Sequence, residues 1–396
     1  LTANRVPASS ENQLFLKKET SLTIQHQESN FVDFDRDRLR FWMISNEGPK
    51  AAKADVNGDS LDDLFIPGAK GQASSLLLQN ADGSFRPHQE SLFAGDAISE
   101  DVTGLFFDAN GDGFQDLLVG SGGIELADYS GAYSDRLYLN DGKGNFQKSP
   151  QIFTAAPTAF LLTTDLEGDG DSDLIVGTRS IPFAYGMPTS LQLWENDGNA
   201  NFKEISPSLN FELSTLGMLT AGALADLDGD GKNEIILTGE WMAIRIFTFQ
   251  EGRLIEKTAE FGFENTRGLW NTLYVEDVNG DGKPDILAGN NGLNSRLRTS
   301  GSSELRMILN DFDQNGALDH ILGQYENQKT IPWVLKPALI RQIPILRKQL
   351  LTYESYQNKS LEELFSEAIW AKSLTLRVQT LETSLWLNEG NGKFAI

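Results

Sequence analysis

Cysteine is absent from all 396 residues. That removes disulfides and thiolate metal ligands together, and it neither proves nor excludes an oxidising compartment. Histidine is nearly as scarce, with His26, His88 and His320 standing alone as the three copies. A Gly-x-Ser-x-Gly elbow, a His-Glu-x-x-His pair and a phosphate loop are missing, so the usual short signatures of hydrolase, zinc and phosphoryl-transfer catalysis are not here. No run approaches the ~20 apolar residues that a membrane helix requires. Lys and Arg number 33 against 56 Asp and Glu, for a formal net charge of −23. Nucleic acid is a poor partner for such a chain, because neutralising phosphates needs clustered Lys and Arg, whereas cations suit it. The chain starts at Leu1 without the charged start and apolar core of a signal peptide, which predicts a processed product or an excised piece.

What is plentiful is glycine, with 37 copies, and short runs of Val, Ile, Leu, Phe and Thr broken by Asp, Asn and Gly. This composition predicts an all-β protein. Self-similarity then organises the chain: a nine-residue pattern with oxygen-bearing residues at positions one, three, five and nine occurs six times. The first copy has Asp55, Asn57, Asp59, Leu61 and Asp63 at its odd positions, and the second has Asp108, Asn110, Asp112, Phe114 and Asp116. In the third they are Asp165, Glu167, Asp169, Asp171 and Asp173, and in the fourth Asp226, Asp228, Asp230, Lys232 and Glu234. The fifth has Asp277, Asn279, Asp281, Lys283 and Asp285, and the sixth Asp311, Asp313, Asn315, Ala317 and Asp319.

The first five copies start about 50 to 60 residues apart, which suits one four-stranded propeller blade per repeat, and each is followed by an apolar strand such as Asp116-Leu-Leu-Val-Gly120. The sixth starts only 34 residues after the fifth. A second motif, an alternating strand followed by an Asn/Asp/Gly turn and Phe, recurs as in Leu137 to Phe146, Leu191 to Phe202 and Leu385 to Phe394. Each reads as a hairpin, so two hairpins per repeat give four strands.

Hard cations take oxygen ligands, and a loop offering side-chain oxygens at positions one, three and five, a carbonyl at seven and a carboxylate at nine can surround Ca²⁺. A solvated Asp-Gly turn, ordinary between strands, is the alternative for any one such loop. Six loops, each packing several carboxylates into nine residues, repel themselves unless a cation intervenes. An EF-hand is excluded, because its twelfth position carries a bidentate Glu, whereas here that position is Ile66, Val119 or Val176 within a strand. Mg²⁺ demands tighter octahedral geometry than such a loop gives. About six structural Ca²⁺ ions are therefore expected; six would bring the formal −23 to −11 and make folding depend on metal supply. Modules of this kind bind at roughly 10⁻⁴ to 10⁻³ M, a level met outside cells, so an exported protein is expected.

These loops and their trailing strands resemble the FG-GAP and VCBS repeat families, which include the integrin α-subunit propeller, over roughly residues 48 to 396. Within that group, the Asn30-Phe-Val-Asp-Phe-Asp-Arg36, Glu47-Gly-Pro49 and Leu309 to Asp319 segments resemble bacterial proteins related to cartilage acidic protein and the UnbV-type repeat proteins. The resemblance implies a seven-bladed β-propeller of four-stranded blades, calcium at the loop residues named, and a place at the cell surface or bacterial outer membrane exterior. It implies no established chemistry. Residues 46–396 form the expected propeller. Residues 1–45 either complete its last blade, or the chain is cut from something longer.

Between Trp333 and Leu376 the strand pattern lapses, and residues 335–375 are expected to be a helical insertion of two short helices, with Ser360 and Glu363 as a capping box. It is also the most basic stretch, with Lys336, Arg341, Arg347, Lys348 and Lys359. Such an arm either docks a partner or covers one end of the propeller. Tyr129, Tyr133, Tyr185, Trp241 and Trp270 fall near expected loops, where they stack on sugars, anchor a protein or simply fill the core. The function expected is a non-catalytic, calcium-stabilised scaffold for a protein partner in a cell-envelope assembly. The alternatives are a glycan-binding module, or a polysaccharide-degrading enzyme with a non-repeated acid cluster in one cleft.

Overall fold

The structure is a computed structural model and describes residues 24–396 apart from 210 and 358. Among the described residues there are six antiparallel sheets built on four strands, one of them with a short fifth strand added, and five of the six are successive propeller blades. Blade one has strands Ala52–Ala54, Asp63–Ile66, Ser75–Gln79 and Phe85–His88; blade two has Asp101–Phe107, Asp116–Ser121, Arg136–Asn140 and Phe146–Lys148. Blade three has Thr158–Thr164, Asp173–Thr178, Leu191–Asn196 and Phe202–Glu204, and blade four Met218–Ala225, Glu234–Met242, Arg245–Gln250 and Arg253–Glu256, with Gly268–Leu269 added to its second strand. Inner strands of blades one to five pack side by side in sequence order.

The order of residues in the second strand decides which neighbour each side chain meets, because successive side chains point to opposite faces of a sheet. The first residue after the ninth loop position looks back: Leu117, Leu174, Ile235 and Ile286 pack on the preceding blade. The next residue looks forward, so Phe65, Leu118, Ile175 and Ile236 are fully buried against the following blade. Each such aliphatic side chain contributes about 1.5–3 kcal/mol by burial. In blade five the forward-looking residue is Leu287, and it is 38% exposed.

Blade five is interrupted. Its strands Thr272–Glu276 and Asp285–Gly289 come before a long insertion, and Ser384–Gly390 and Lys393–Ala395 after it. The inserted unit is larger than the helical segment expected from sequence, because it contains a whole sheet, Glu304–Asn310, Asp319–Glu326, Lys329–Pro332 and Leu374–Val378. That is why the sixth acidic loop follows the fifth so closely: it belongs to this cap sheet. The stem of the insertion is tied by Asn290 Nδ2 to the Thr380 carbonyl (3.1 Å) and by the Gly292 N–H to the Leu381 carbonyl (2.7 Å).

The acidic turns join first to second strands, so in antiparallel blades they share one face of the propeller. The cap packs on the opposite face: Leu305, Met307, Leu309, Leu322 and Val378 bury Ile124, Tyr185, Met218, Trp241 and Leu269. On its outer side lie the helices Lys336–Gln342, Leu361–Leu364 and Glu367–Trp370, which cluster with Ile308, Phe312 and Ile321 through Leu339, Ile343, Leu361, Leu364 and Phe365. The Ser360 N–H donates to Glu363 at 2.9 Å, one half of the capping box. Of the N-terminal segment, residues 1–23 lie outside the described residues. Residues 24–45 carry one helical turn, Asp33–Arg36, and no strand, and they send Phe31, Phe41, Trp42 and Ile44 into the core beneath the cap.

Candidate metal centres

Each acidic loop is wound around its own first residue. Asp55 accepts from the N–H groups of Gly58 (2.8 Å) and Ser60 (2.7 Å), and Asp108 from those of Gly111 and Gly113 (both 2.8 Å). The same pair of bonds recurs at Asp165, Asp226 and Asp277. The turn requires positive φ at its fourth and sixth positions, and Gly111 (73°) and Gly113 (85°) provide it without strain. The fifth residue then accepts from the N–H of the seventh, as Asp59 does from Leu61 (2.9 Å), Asp112 from Phe114 (2.9 Å), Asp230 from Lys232 (2.8 Å) and Asp281 from Lys283 (3.0 Å).

The ninth residue is different in kind. Asp63, Asp116, Asp173, Glu234, Asp285 and Asp319 are all buried although their loop partners are exposed or half-exposed. One oxygen of Asp116 accepts from Ala109 N–H (3.0 Å) and the other from Asn140 N–H (2.7 Å), so the carboxylate clamps the loop to the third strand. Asp173 and Asp285 do the same with Asn196 and Asn388. The amides of these three asparagines reach across to the preceding blade, donating to the carbonyls of Val56 (2.8 Å), Ala109 (2.9 Å) and Leu227 (2.9 Å). Sequence reading passed over them as turn residues. The available signal was that each precedes a hairpin turn.

Among the described residues, two acidic clusters could hold a metal ion: Asp165, Glu167 and Asp173, and Asp226, Asp228 and Glu234, each with carboxylate oxygens within 4.8 Å of one another. In loops one, two and five the third position is Asn57, Asn110 or Asn279, which supplies a neutral oxygen. The sixth loop departs most. Gln314 sits at a φ of 59° where the other loops have Gly, and the Asp319 carboxylate is engaged by Gln342 Nε2 of the insertion (2.8 Å).

The electrostatics fit a cation. Burial, reinforced by Asp173 and Asp169, pushes Glu167 up to about 7. Burial with neighbouring loop acids likewise pushes Asp116 up to about 6 and Glu234 up to about 7. Carboxylates that resist ionising together are eased by a divalent ion. The all-oxygen donor sets, with the first residue pre-turned and the ninth fixed to a strand, match what a hard cation takes.

The five aromatic residues singled out from sequence divide sharply. Tyr133, Tyr185, Trp241 and Trp270 are buried, and only Tyr129, 88% exposed, stands free in solvent.

Successive four-stranded blades, each with an acidic turn between its first two strands, define a repeat propeller. A family model described as FG-GAP-like repeat matches residues 55–119, 108–176, 165–237 and 226–288, more than half of the chain, and the chain belongs to that family. No curated protein matches it. Among solved structures it is similar to an Agrocybe aegerita lectin that recognises non-reducing terminal N-acetylglucosamine, at 16% identity and a TM-score of 0.38, over 86% of this chain and 87% of the other. It is also similar to a putative exo-β-1,3-galactanase from Bifidobacterium bifidum, at 9% identity and a TM-score of 0.34, over 72% and 91%.

Proposed function

We propose that this chain is a non-catalytic, calcium-stabilised propeller that serves as a binding scaffold for a protein partner at the cell surface, on the exterior of a bacterial outer membrane. The observation that carries this reading is the division of labour between the two faces. The acidic turns of the five blades occupy one face, and the cap, which carries the sixth acidic turn, occupies the other. Ca²⁺ at the six loops would fix the strand-to-strand turns and make the blades a rigid platform. The weak affinity usual for such modules suits an exported protein. The Asn30 to Arg36 and Leu309 to Asp319 segments support a place beside the bacterial relatives of cartilage acidic protein and the UnbV-type repeat proteins.

The cap supplies the docking surface. Leu335, Ile345, Leu351 and Tyr353 are 55–79% exposed, beside the exposed cations Arg341, Arg347, Lys348 and Lys359. A mixed apolar and basic patch on an acidic protein suits an acidic partner with an apolar centre. The test is thermal unfolding in EDTA, then in millimolar Ca²⁺ or Mg²⁺. A rise in midpoint specific to Ca²⁺ is expected, and no shift would refute the metal-clamped platform. For the partner, L335E/L351E/Y353A should abolish recovery of an envelope protein that the unaltered chain retains, at unchanged midpoint.

A further inference from the structure

A second site lies under the cap, away from the acidic turns. A cleft of about 570 Å³ opens between the N-terminal segment, blades four and five, and the start of the insertion, lined by Phe41, Trp42, Glu47, Glu240, Asn271 and Arg296 among others. Its size falls within the range of roughly 300–1,000 Å³ usual for small-molecule sites. A larger groove of about 800 Å³ runs beside the acidic loops of blades three and four, but this cleft contains no loop position.

The cleft is built rather than incidental. Glu240 lies two residues before the end of the second strand of blade four, paired to Leu269, and the register slips between it and Met242. Trp241 fills that bulge at a φ of 63°, a conformation a bulky residue rarely holds without a local reason. Its Nε1 donates to Tyr185 Oη (3.2 Å), and Tyr185 donates to Glu240 (2.8 Å). Arg179, fully enclosed behind them, bridges Glu240 (3.1 Å) and Glu47 (2.6 Å), while its Nη1 has no protein partner. Burial alone would pull its guanidinium down, but Glu240 and Glu47 outweigh that and keep it charged. The two carboxylates are thus fixed in orientation: both Glu47 oxygens accept from Arg179, at 3.1 Å from Nε and 2.6 Å from Nη2, while the side chain, 45% exposed, lines the cleft. Arg296 stacks on Phe41, 4.3 Å from the ring centre, and both line the cleft.

These groups select a class of ligand. Glu47 and Glu240 are offset by Arg179, Arg296 and nearby Lys50, whose Nζ is taken up by the carbonyls of Ala159 and Thr220. The cleft therefore has neither the net negative charge that draws a cation nor a free cation cluster for a phosphate. Oriented carboxylates accept hydrogen bonds from hydroxyl groups, side-chain amides both donate and accept, and aromatic rings cover apolar C–H faces. We propose that this cleft binds an uncharged, hydroxyl-rich ligand, a neutral carbohydrate. This goes beyond the scaffold reading and does not depend on it.

The experiment is calorimetric titration of the calcium-saturated chain with cellotetraose, laminaritetraose, mannotetraose and chitotetraose, with tetragalacturonate as the charged control. Alongside run the exposed-wall variants N271A and R296A and the isosteric E47Q. At least one neutral tetrasaccharide should bind, and N271A and R296A should each weaken it about tenfold or more, at unchanged melting midpoint. Absence of binding by every neutral tetrasaccharide at millimolar concentration overturns the proposal. So does equal or tighter binding of tetragalacturonate, or affinity that survives all three substitutions.

Discussion

Asn140 of blade two donates its side-chain amide to the Val56 carbonyl in the acidic loop of blade one, 2.8 Å away, while its backbone N–H holds Asp116 of its own loop at 2.7 Å. One residue thus fastens two consecutive loops. Asn140→Ala leaves the buried carbonyl of Val56 and that of Gln115 without this donor. It should cost about 1–3 kcal/mol in urea unfolding. Asn388→Ala, which releases Leu227 and Pro284, should cost a similar amount. A change near zero in both would show that these bonds do not hold the blades together.

Ile236 and Leu287 occupy the same forward-looking position in blades four and five, yet Ile236 is 0% exposed and Leu287 38%. Ile236→Ala should cost about 2–5 kcal/mol because a cavity replaces an enclosed side chain. Leu287→Ala should cost under about 1 kcal/mol, since water fills the space. Chemical denaturation of the two variants, measured in parallel, checks the blade order directly.

In the metal-free chain the pH trend should run opposite to ordinary acid unfolding. Burial, helped by loop acids, raises Asp116 to about 6, Asp319 to about 6 and Glu234 to about 7. Outside the loops, burial raises Glu100 to about 8 and Asp135 to about 7. A folded-state value above the unfolded one means the folded chain binds the proton more tightly. Its contribution is complete below the ordinary carboxylate range and is lost as pH rises through each raised value. In EDTA the melting midpoint should therefore fall between pH 5 and pH 8, most steeply from 6 to 8. Saturating Ca²⁺ should flatten the part that comes from the loops. A midpoint in EDTA that rises over this window contradicts the assignment.

Phe312 and Phe365 stack at 4.3 Å between ring centres, joining the sixth loop to the outer helices. Phe365→Ala should cost about 3–5 kcal/mol of cap stability. Hydrogen exchange should quicken in residues 336–370 while blades one to three keep their protection.

The loops and the strands behind them were legible because both recur with fixed internal spacing: the acid at position nine and the two apolar residues after it need no long-range information to be read. The route of the chain through blade five was not. Asp285–Gly289 pairs with Ser384–Gly390 across residues 290–383, and nothing local in either strand names its partner. The short step from the fifth loop to the sixth was the single hint. The cleft was equally hidden, since Glu47, Arg179 and Glu240 share no motif and meet only through the curvature of the arc. Trp241 read as a loop aromatic from its place after a strand. In fact the strand runs on through a bulge, and the indole turns inward onto Tyr185.

The interruption of blade five has a consequence in time. Blades one to four each close within a single stretch of polypeptide, so during synthesis each can collapse as soon as its last strand emerges. The third strand of blade five reaches its partner only after the whole insertion has been made, a contact of high sequence separation and so a slow one. Folding of the cap shortens that search, because the bonds from Asn290 and Gly292 to Thr380 and Leu381 bring the two halves of the blade side by side. The cap therefore doubles as the splint that sets the hairpin of Ser384–Gly390 and Lys393–Ala395 against the first half of the fifth blade.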